Sequence, residues 1–161
     1  MKFFINASLV VSILFFLSSS VNAQNTKKYK CMIQMTNYMG EGAYIVISVI
    51  DSKGNYQKTL YVLGAGKKWY PDLKEWHKSF KKSPSDISAI TGASVSGGDR
   101  AIKVFEIDDK FIDKNFSLRF ESAVEDNKYN VKDLEIPLTT TNLSTKNEGT
   151  GYIRYVRFMP N

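Results

Sequence analysis

The chain has 161 residues, of which 43% are hydrophobic, 13% aromatic and 24% charged, a composition typical of globular proteins. With only 4 Pro and 10 Gly, collagen-like and low-complexity architectures are excluded. The formal net charge is +6, but the basic residues are scattered among acidic ones and form no aromatic-lined stripe, so we expect no nucleic-acid partner. Cys31 and His77 are the only residues of their types, which excludes an intramolecular disulfide and disfavours zinc sites and histidine-based triads. We therefore expect no metal.

Residues 1–23 have the pattern of a secretory signal peptide. Lys2 supplies a positive charge, a mostly apolar run follows from Phe3 to Leu17, and small residues lead to Ala23. The apolar run is shorter than the roughly 20 residues that span a bilayer. The sequence thus predicts cleavage after Ala23, no transmembrane segment thereafter, and a periplasmic or secreted protein. Residues 24–161 are then expected to form one domain.

The remaining sequence predicts a mainly β protein. Ala43–Asp51 is a nearly continuous β-branched run and predicts the most buried strand, and turn residues 51–55 predict a hairpin to a strand at Tyr56–Leu63. The same patterns predict further strands at Tyr29–Thr36, Ala101–Ile107, Phe116–Glu125, Val131–Leu138 and Tyr152–Phe158. About seven short strands with mostly short connections are typical of an antiparallel β-sandwich with an immunoglobulin-like layout.

One short helix and one long loop interrupt the strands. Trp69, Leu73, Trp76 and Phe80 follow one another at steps that place them on one helix face, with Pro71 tolerated in the first turn. This aromatic stripe predicts core packing, and Trp76 is also a candidate cofactor contact. The segment 83–98 is rich in Ser, Gly and Ala and predicts a long ordered loop, a kind of segment that often carries function.

The sequence of this loop contains a candidate modification motif. Residues 88–94, Ser-Ala-Ile-Thr-Gly-Ala-Ser, resemble the pattern Asp-x-x-(Ser/Thr)-Gly-Ala-(Thr/Ser), at which FAD:protein FMN transferases attach FMN to the last hydroxyl. The resemblance implies Ser94 as the acceptor, with Thr91, Gly92 and Ala93 shaping the loop. The chain departs from the pattern at Ser88, where the pattern has Asp. A tight turn without cofactor, with Gly92 at positive φ and Ser94 capping its own backbone, is the alternative interpretation.

The chain from about Tyr29 to Phe158 also resembles a family, the bacterial predicted periplasmic proteins of domain of unknown function 2271. The resemblance rests on the hairpin and Trp-rich helix between Leu60 and Trp76, on the loop from Ile90 to Ser94, and on the strand end Glu121-Ser122-Ala123-Val124-Glu125. It implies a secreted accessory protein, associated in some genomes with membrane flavin reductases and FMN transferases.

Two functions follow from these patterns. In the first, the protein is an extracytoplasmic electron-transfer domain with FMN esterified to Ser94 and with Trp69 or Trp76 near the flavin ring. In the second, it is a non-catalytic binding or assembly module without cofactor. Neither is an enzyme in its own right. A glycosidase pair is disfavoured because Glu121 and Glu125 would lie about 13 Å apart along an extended strand.

Overall fold

The computed structural model describes residues 25–159, so the predicted signal peptide, residues 1–23, lies outside the described part of the chain. Within residues 25–159 there are nine strands: β1 (Thr26–Met35), β2 (Tyr44–Ile50), β3 (Tyr56–Leu63), β4 (Thr91–Gly92), β5 (Arg100–Asp108), β6 (Ser117–Ala123), β7 (Tyr129–Pro137), β8 (Lys146–Glu148) and β9 (Ile153–Met159). The same residues include one α-helix, α1 (Lys74–Lys82), and short 3-10 helices at Lys67–Asp72, Ser88–Ile90, Asp109–Phe111 and Asn142–Ser144.

The strands form two sheets, one of four strands in the order β5-β1-β9-β8 and one of five in the order β4-β3-β2-β6-β7. Their pairings are antiparallel except for β3 with β4, which is parallel. Cys31 and Ile33 from β1 share one buried cluster with Ile45 and Ile47 from β2. The core therefore lies between the two sheets, and the predicted mainly β, antiparallel sandwich is confirmed. Burial raises the pKa of the Cys31 thiol, which keeps it protonated and unreactive.

The predicted hairpin joins β2 and β3. The Asp51 carboxylate accepts hydrogen bonds from the backbone N–H groups of Lys53 and Asn55 at 2.9 and 2.8 Å, and Gly54 has a φ of +84°, a conformation that favours glycine. The turn residues thus close the hairpin through their own backbone and side-chain chemistry.

Strand β2 is buried on both faces. Ile45, Ile47 and Val49 point into the core between the sheets, whereas Val46 packs on the opposite face in a second cluster that includes Trp76. The helical segment thus covers the outer face of the five-stranded sheet. This covering explains why the β2 sequence is a nearly continuous apolar run instead of alternating with polar residues.

The helix begins later than the sequence predicts. Lys67–Asp72, which includes Pro71, is a 3-10 helix, Leu73 leaves the helical conformation with ψ at 67°, and α1 begins at Lys74. The predicted start at Trp69 is therefore wrong, whereas the buried apolar face at Leu73 and Trp76 is confirmed. Leu73, at the break between the two helices, is fully buried in the cluster that covers the sheet.

A side chain from the sheet supplies the helix cap that the local sequence lacks. Leu73 at the N-cap position offers no side-chain hydrogen bond. Instead, a carboxylate oxygen of Glu121 on β6 accepts hydrogen bonds from the Trp76 backbone N–H at 3.1 Å and from the Tyr129 hydroxyl at 2.7 Å. An unsatisfied N–H of the first helical turn is thereby paired.

Candidate functional site

The segment that carries Ser94 is attached to the five-stranded sheet on both sides. On one side, Gly92 belongs to β4, and its carbonyl accepts a hydrogen bond from the Gly64 N–H at 2.6 Å. On the other side, Ala43 and Val95 exchange two backbone hydrogen bonds of 2.8 and 3.1 Å. The predicted long loop therefore includes a short parallel strand and an isolated bridge, and only Ala93 and Ser94 lie between them.

A tyrosine from the preceding loop strengthens the second attachment. The Tyr38 hydroxyl donates to the Val95 carbonyl at 2.5 Å and accepts from the Ala43 N–H at 2.7 Å. Burial raises the pKa of Tyr38, so its hydroxyl remains a donor at neutral pH. The backbone next to Ser94 is thus held by three hydrogen bonds.

Ser94 is exposed, and a glycine provides the space for its side chain. A Cβ at Gly42 would lie 2.6 Å from the Ser94 Oγ and 3.1 Å from its Cβ, so a larger residue at position 42 would force the Ser94 side chain to move. Ala93 is exposed as well. The candidate acceptor hydroxyl therefore lies at the surface, flanked by residues with minimal side chains.

Gly92 lies against the ends of two side chains, and its backbone does not have the left-handed conformation that favours glycine. Its φ is not positive, so the alternative of a turn with Gly92 at positive φ is wrong. A Cβ there would lie 2.9 Å from the Tyr61 hydroxyl and 3.3 Å from the Lys103 Nζ. Lys103 thus places its ammonium group beside Gly92, the loop residue two positions before Ser94.

A carboxylate lies next to position 88 although the residue there is Ser. The Asp86 Oδ1 accepts hydrogen bonds from the Ser88 N–H at 2.9 Å and from the Ser88 hydroxyl at 2.7 Å. These bonds, with the nearby Lys67 ammonium, lower the pKa of Asp86. This contact does not follow from the acceptor pattern, although Asp-x-Ser is a recognisable turn signal.

Beside this loop lies a cleft of about 620 Å³ between α1 and the segment 85–91. His77 and Phe80 line it from the helix, Ile87 and Thr91 line it from the loop, and Lys67 and Asp86 add charges of opposite sign. The Thr91 hydroxyl donates to the Ile87 carbonyl at 2.7 Å, which stabilises the loop wall. This cleft is not predictable from the sequence, because it depends on how the helix and the loop pack together.

A sequence model of the family described as "Predicted periplasmic protein (DUF2271)" matches residues 26–155. The chain belongs to this family. The family match agrees with the predicted resemblance and with the expected location outside the cytoplasmic membrane, and it includes both the acceptor loop and the cleft. No curated protein and no solved structure matches the chain.

The described residues of this family member include neither a membrane-spanning helix nor a group of metal-ligating side chains. No helix in residues 25–159 is long and apolar enough to cross a membrane. In the same part of the chain, no three His, Cys, Asp or Glu side chains are grouped as a metal ion would require.

The structure separates the predicted site residues into two environments. Thr91 lines the cleft, and Gly92, Ala93 and Ser94 continue from it along the surface. Trp76, by contrast, is only 1% exposed, and its indole N–H donates to the Thr59 hydroxyl at 2.9 Å. Its ring stacks on that of Phe80, with 4.9 Å between centroids and 22° between planes.

Phe80 is therefore the aromatic residue of this stack that faces the cleft. Trp69 lies elsewhere, at a smaller hollow that it shares with Asp72 and Asn127. Lys68 approaches its ring at 4.5 Å.

Proposed function

We propose that this periplasmic protein carries FMN esterified to Ser94 and acts as an accessory domain in electron transfer. The observation that supports this function is the exposed Ser94 hydroxyl in a segment attached to the sheet at Gly92 and at Val95. A modifying enzyme needs an accessible hydroxyl, and a loop held on both sides presents that hydroxyl in one position. Less conformational entropy is then lost when the enzyme binds.

The attachment reaction is a phosphoryl-group transfer from FAD. The Ser94 Oγ forms a bond to the phosphorus of the FMN moiety, and the bond between that phosphorus and the bridging oxygen of AMP breaks. AMP leaves with the electron pair of that bond, and the hydroxyl proton of Ser94 is released. An FMN transferase catalyses this step, so in this proposal the protein is the substrate of that enzyme.

The residues around Ser94 suit an attached phosphodiester. Gly42 leaves room at the Ser94 side chain and Gly92 leaves room beside Tyr61, while the Lys103 ammonium next to Gly92 supplies a positive charge near the anion. Asp86, bonded to Ser88, provides a carboxylate at the end of the motif where the acceptor pattern has Asp.

When attached, FMN supplies one- and two-electron redox chemistry. A membrane flavin reductase is the proposed electron-transfer partner. Because Trp76 is buried beneath Phe80, its proposed contribution to the cofactor is indirect: it fixes the position of the Phe80 ring.

The cleft favours a second function. A cavity of about 620 Å³ falls within the usual size range of small-molecule sites, which is the expectation for a binding module without covalent cofactor. The two functions use neighbouring parts of the same loop. They are distinguished by whether Ser94 carries FMN or is unmodified.

The experiment is co-expression with an FMN transferase in a host that exports the protein. We expect a product that stays yellow after denaturation and whose mass increases by that of FMN minus water. Ser94→Ala should abolish the label, whereas Ser96→Ala, at an exposed serine two residues later, should keep it. Ser88→Asp should raise the yield. If wild type and Ser88→Asp both stay colourless while the transferase labels a control substrate, the protein is not a flavin carrier, and the function as a binding module is retained.

A further inference from the structure

The cleft between α1 and the segment 85–91 has a rigid aromatic wall. Phe80 lines it and is stacked on Trp76, which is itself fixed by the hydrogen bond to Thr59. Ile87 contributes an apolar side chain from the loop. A planar ring can therefore pack against Phe80 without a change in the position of that side chain.

The charged groups at this cleft are arranged asymmetrically. Asp86 directs its Oδ1 at Ser88, from which it accepts two hydrogen bonds, so part of its capacity to attract a cation is already used. Lys67 is exposed at the cleft, near enough to Asp86 to lower the pKa of that carboxyl, and its flexible side chain can turn toward a bound anion. His77 adds an imidazole to the helix side.

The surroundings of the cleft are strongly basic. Residues 67–82 include two acidic residues, Asp72 and Glu75, and six exposed lysines at positions 67, 68, 74, 78, 81 and 82. Charges of one sign around a cavity raise the local concentration of ligands of the opposite sign. Six lysines and two acidic residues give this segment a net charge of +4, against +6 for the whole chain. The expected scatter of basic residues among acidic ones therefore does not hold for the segment that forms one wall of the cleft.

We propose that the cleft is a reversible binding site for a small aromatic anion, whose ring packs on Phe80 and whose acidic group contacts Lys67. Binding at this site needs no covalent bond and no modification of Ser94. Aromatic-anion binding is therefore independent of FMN attachment, and an experiment can disprove either proposal without disproving the other.

The probe for this site is 8-anilino-1-naphthalenesulfonate, an aromatic sulfonate whose fluorescence reports binding. The control probe is N-phenyl-1-naphthylamine, which has the same ring system but no sulfonate and no charge. The sulfonate should bind saturably at one site. Lys67→Glu should weaken its affinity by about tenfold and change that of the uncharged ring by less than about twofold. Lys78→Glu, at an exposed lysine of α1 that does not line the cleft, is the matched control and should weaken sulfonate binding by less than about threefold.

Two further variants test the direction of the effect. Asp86→Asn keeps the oxygen that accepts from Ser88 but removes a negative charge, so sulfonate binding should strengthen. Phe80→Leu removes the aromatic face and should weaken binding of both probes. Thermal unfolding confirms that each variant is folded, and Lys67→Glu, at an exposed position, keeps the test valid if Phe80→Leu is unstable.

A second measurement locates the bound probe. His77 is the only histidine in the chain, so its ring gives a unique NMR signal, which should shift on addition of the sulfonate with the same midpoint as the fluorescence. Ser94→Ala should leave this binding unchanged. The proposal is overturned if the sulfonate does not bind, if Lys67→Glu and Lys78→Glu weaken it equally, or if it binds while the His77 signal stays in place.

Discussion

The two sheets share one core but differ on their outer faces. On the five-stranded sheet, Val46, Val62 and Ala123 are buried beneath the segment that includes Trp76. Among residues 25–159, none covers the outer face of the four-stranded sheet in this way at β5, where Ile102 and Val104 are 50% and 49% exposed. The helical layer that buries one outer face also forms a wall of the cleft. The same packing therefore covers the sheet and creates the candidate site.

The largest expected effect is the loss of that cover. Trp76→Ala should lower the free energy of unfolding by about 3–5 kcal/mol, because it removes a fully buried aromatic ring that packs on both the sheet and Phe80. Trp76→Phe, which keeps a ring but loses the hydrogen bond to Thr59, should be less damaging. Chemical denaturation measures both. Equal losses for the two variants would contradict the importance of ring packing at this position.

The next effect concerns the core that the two sheets share. Ile47 is fully buried between them, and Ile47→Ala should lower the free energy of unfolding by about 2–4 kcal/mol through lost contacts and a residual cavity. Chemical denaturation of wild type and variant checks this value. A loss below about 0.5 kcal/mol, the usual range of surface substitutions, would mean that Ile47 does not face this core.

A matched pair of substitutions compares the two outer faces directly. Val46→Thr places a hydroxyl beneath the helical layer and should cost about 1–3 kcal/mol, because a buried hydroxyl without a partner loses its hydration. Val104→Thr makes the same change at the exposed face of β5 and should stay within about 0.5 kcal/mol. If the two losses were equal, the difference between the covered and uncovered faces would have no energetic consequence.

The smallest effect is a pH dependence at Glu121, which the helical layer buries. Burial raises the pKa of this carboxyl, despite the hydrogen bonds from Tyr129 and Trp76, so the folded state holds the proton more tightly than the unfolded state. The stability that this group contributes is present below about pH 4.3, the ordinary value for Glu, and is lost as the pH rises through the raised pKa.

The variant Glu121→Gln removes this titration and retains an oxygen that can accept the Trp76 N–H. The unfolding free energy of the variant minus that of wild type should therefore increase when the pH is raised from 4 to 7. Urea denaturation of both proteins at the two pH values measures this difference. A difference in unfolding free energy that does not change with pH would show that Glu121 ionises in the folded state as it does in the unfolded state.

The strands were predictable because their signals are local. The apolar run at 43–51 and the turn residues at 51–55 depend on neighbours in the sequence, and β3 was predicted with its observed ends, Tyr56–Leu63. The very short β8 was missed, since Lys146–Glu148 is polar and has no apolar period. The motif at 88–94 was likewise visible in the sequence, as was the small size of Gly92 and Ala93.

Contacts between distant segments were not predictable in this way. Glu121 caps a helix 45 residues earlier in the chain, and Lys103 reaches from β5 of one sheet to Tyr61 and Gly92 of the other. The sequence alone determined the strands, the hairpin and the small residues around Ser94, because backbone periodicity and turn chemistry act over a few residues. Only the tertiary structure decided where the helix begins, which charges lie beside the loop, and that a cleft exists, because these depend on which surfaces the topology brings together.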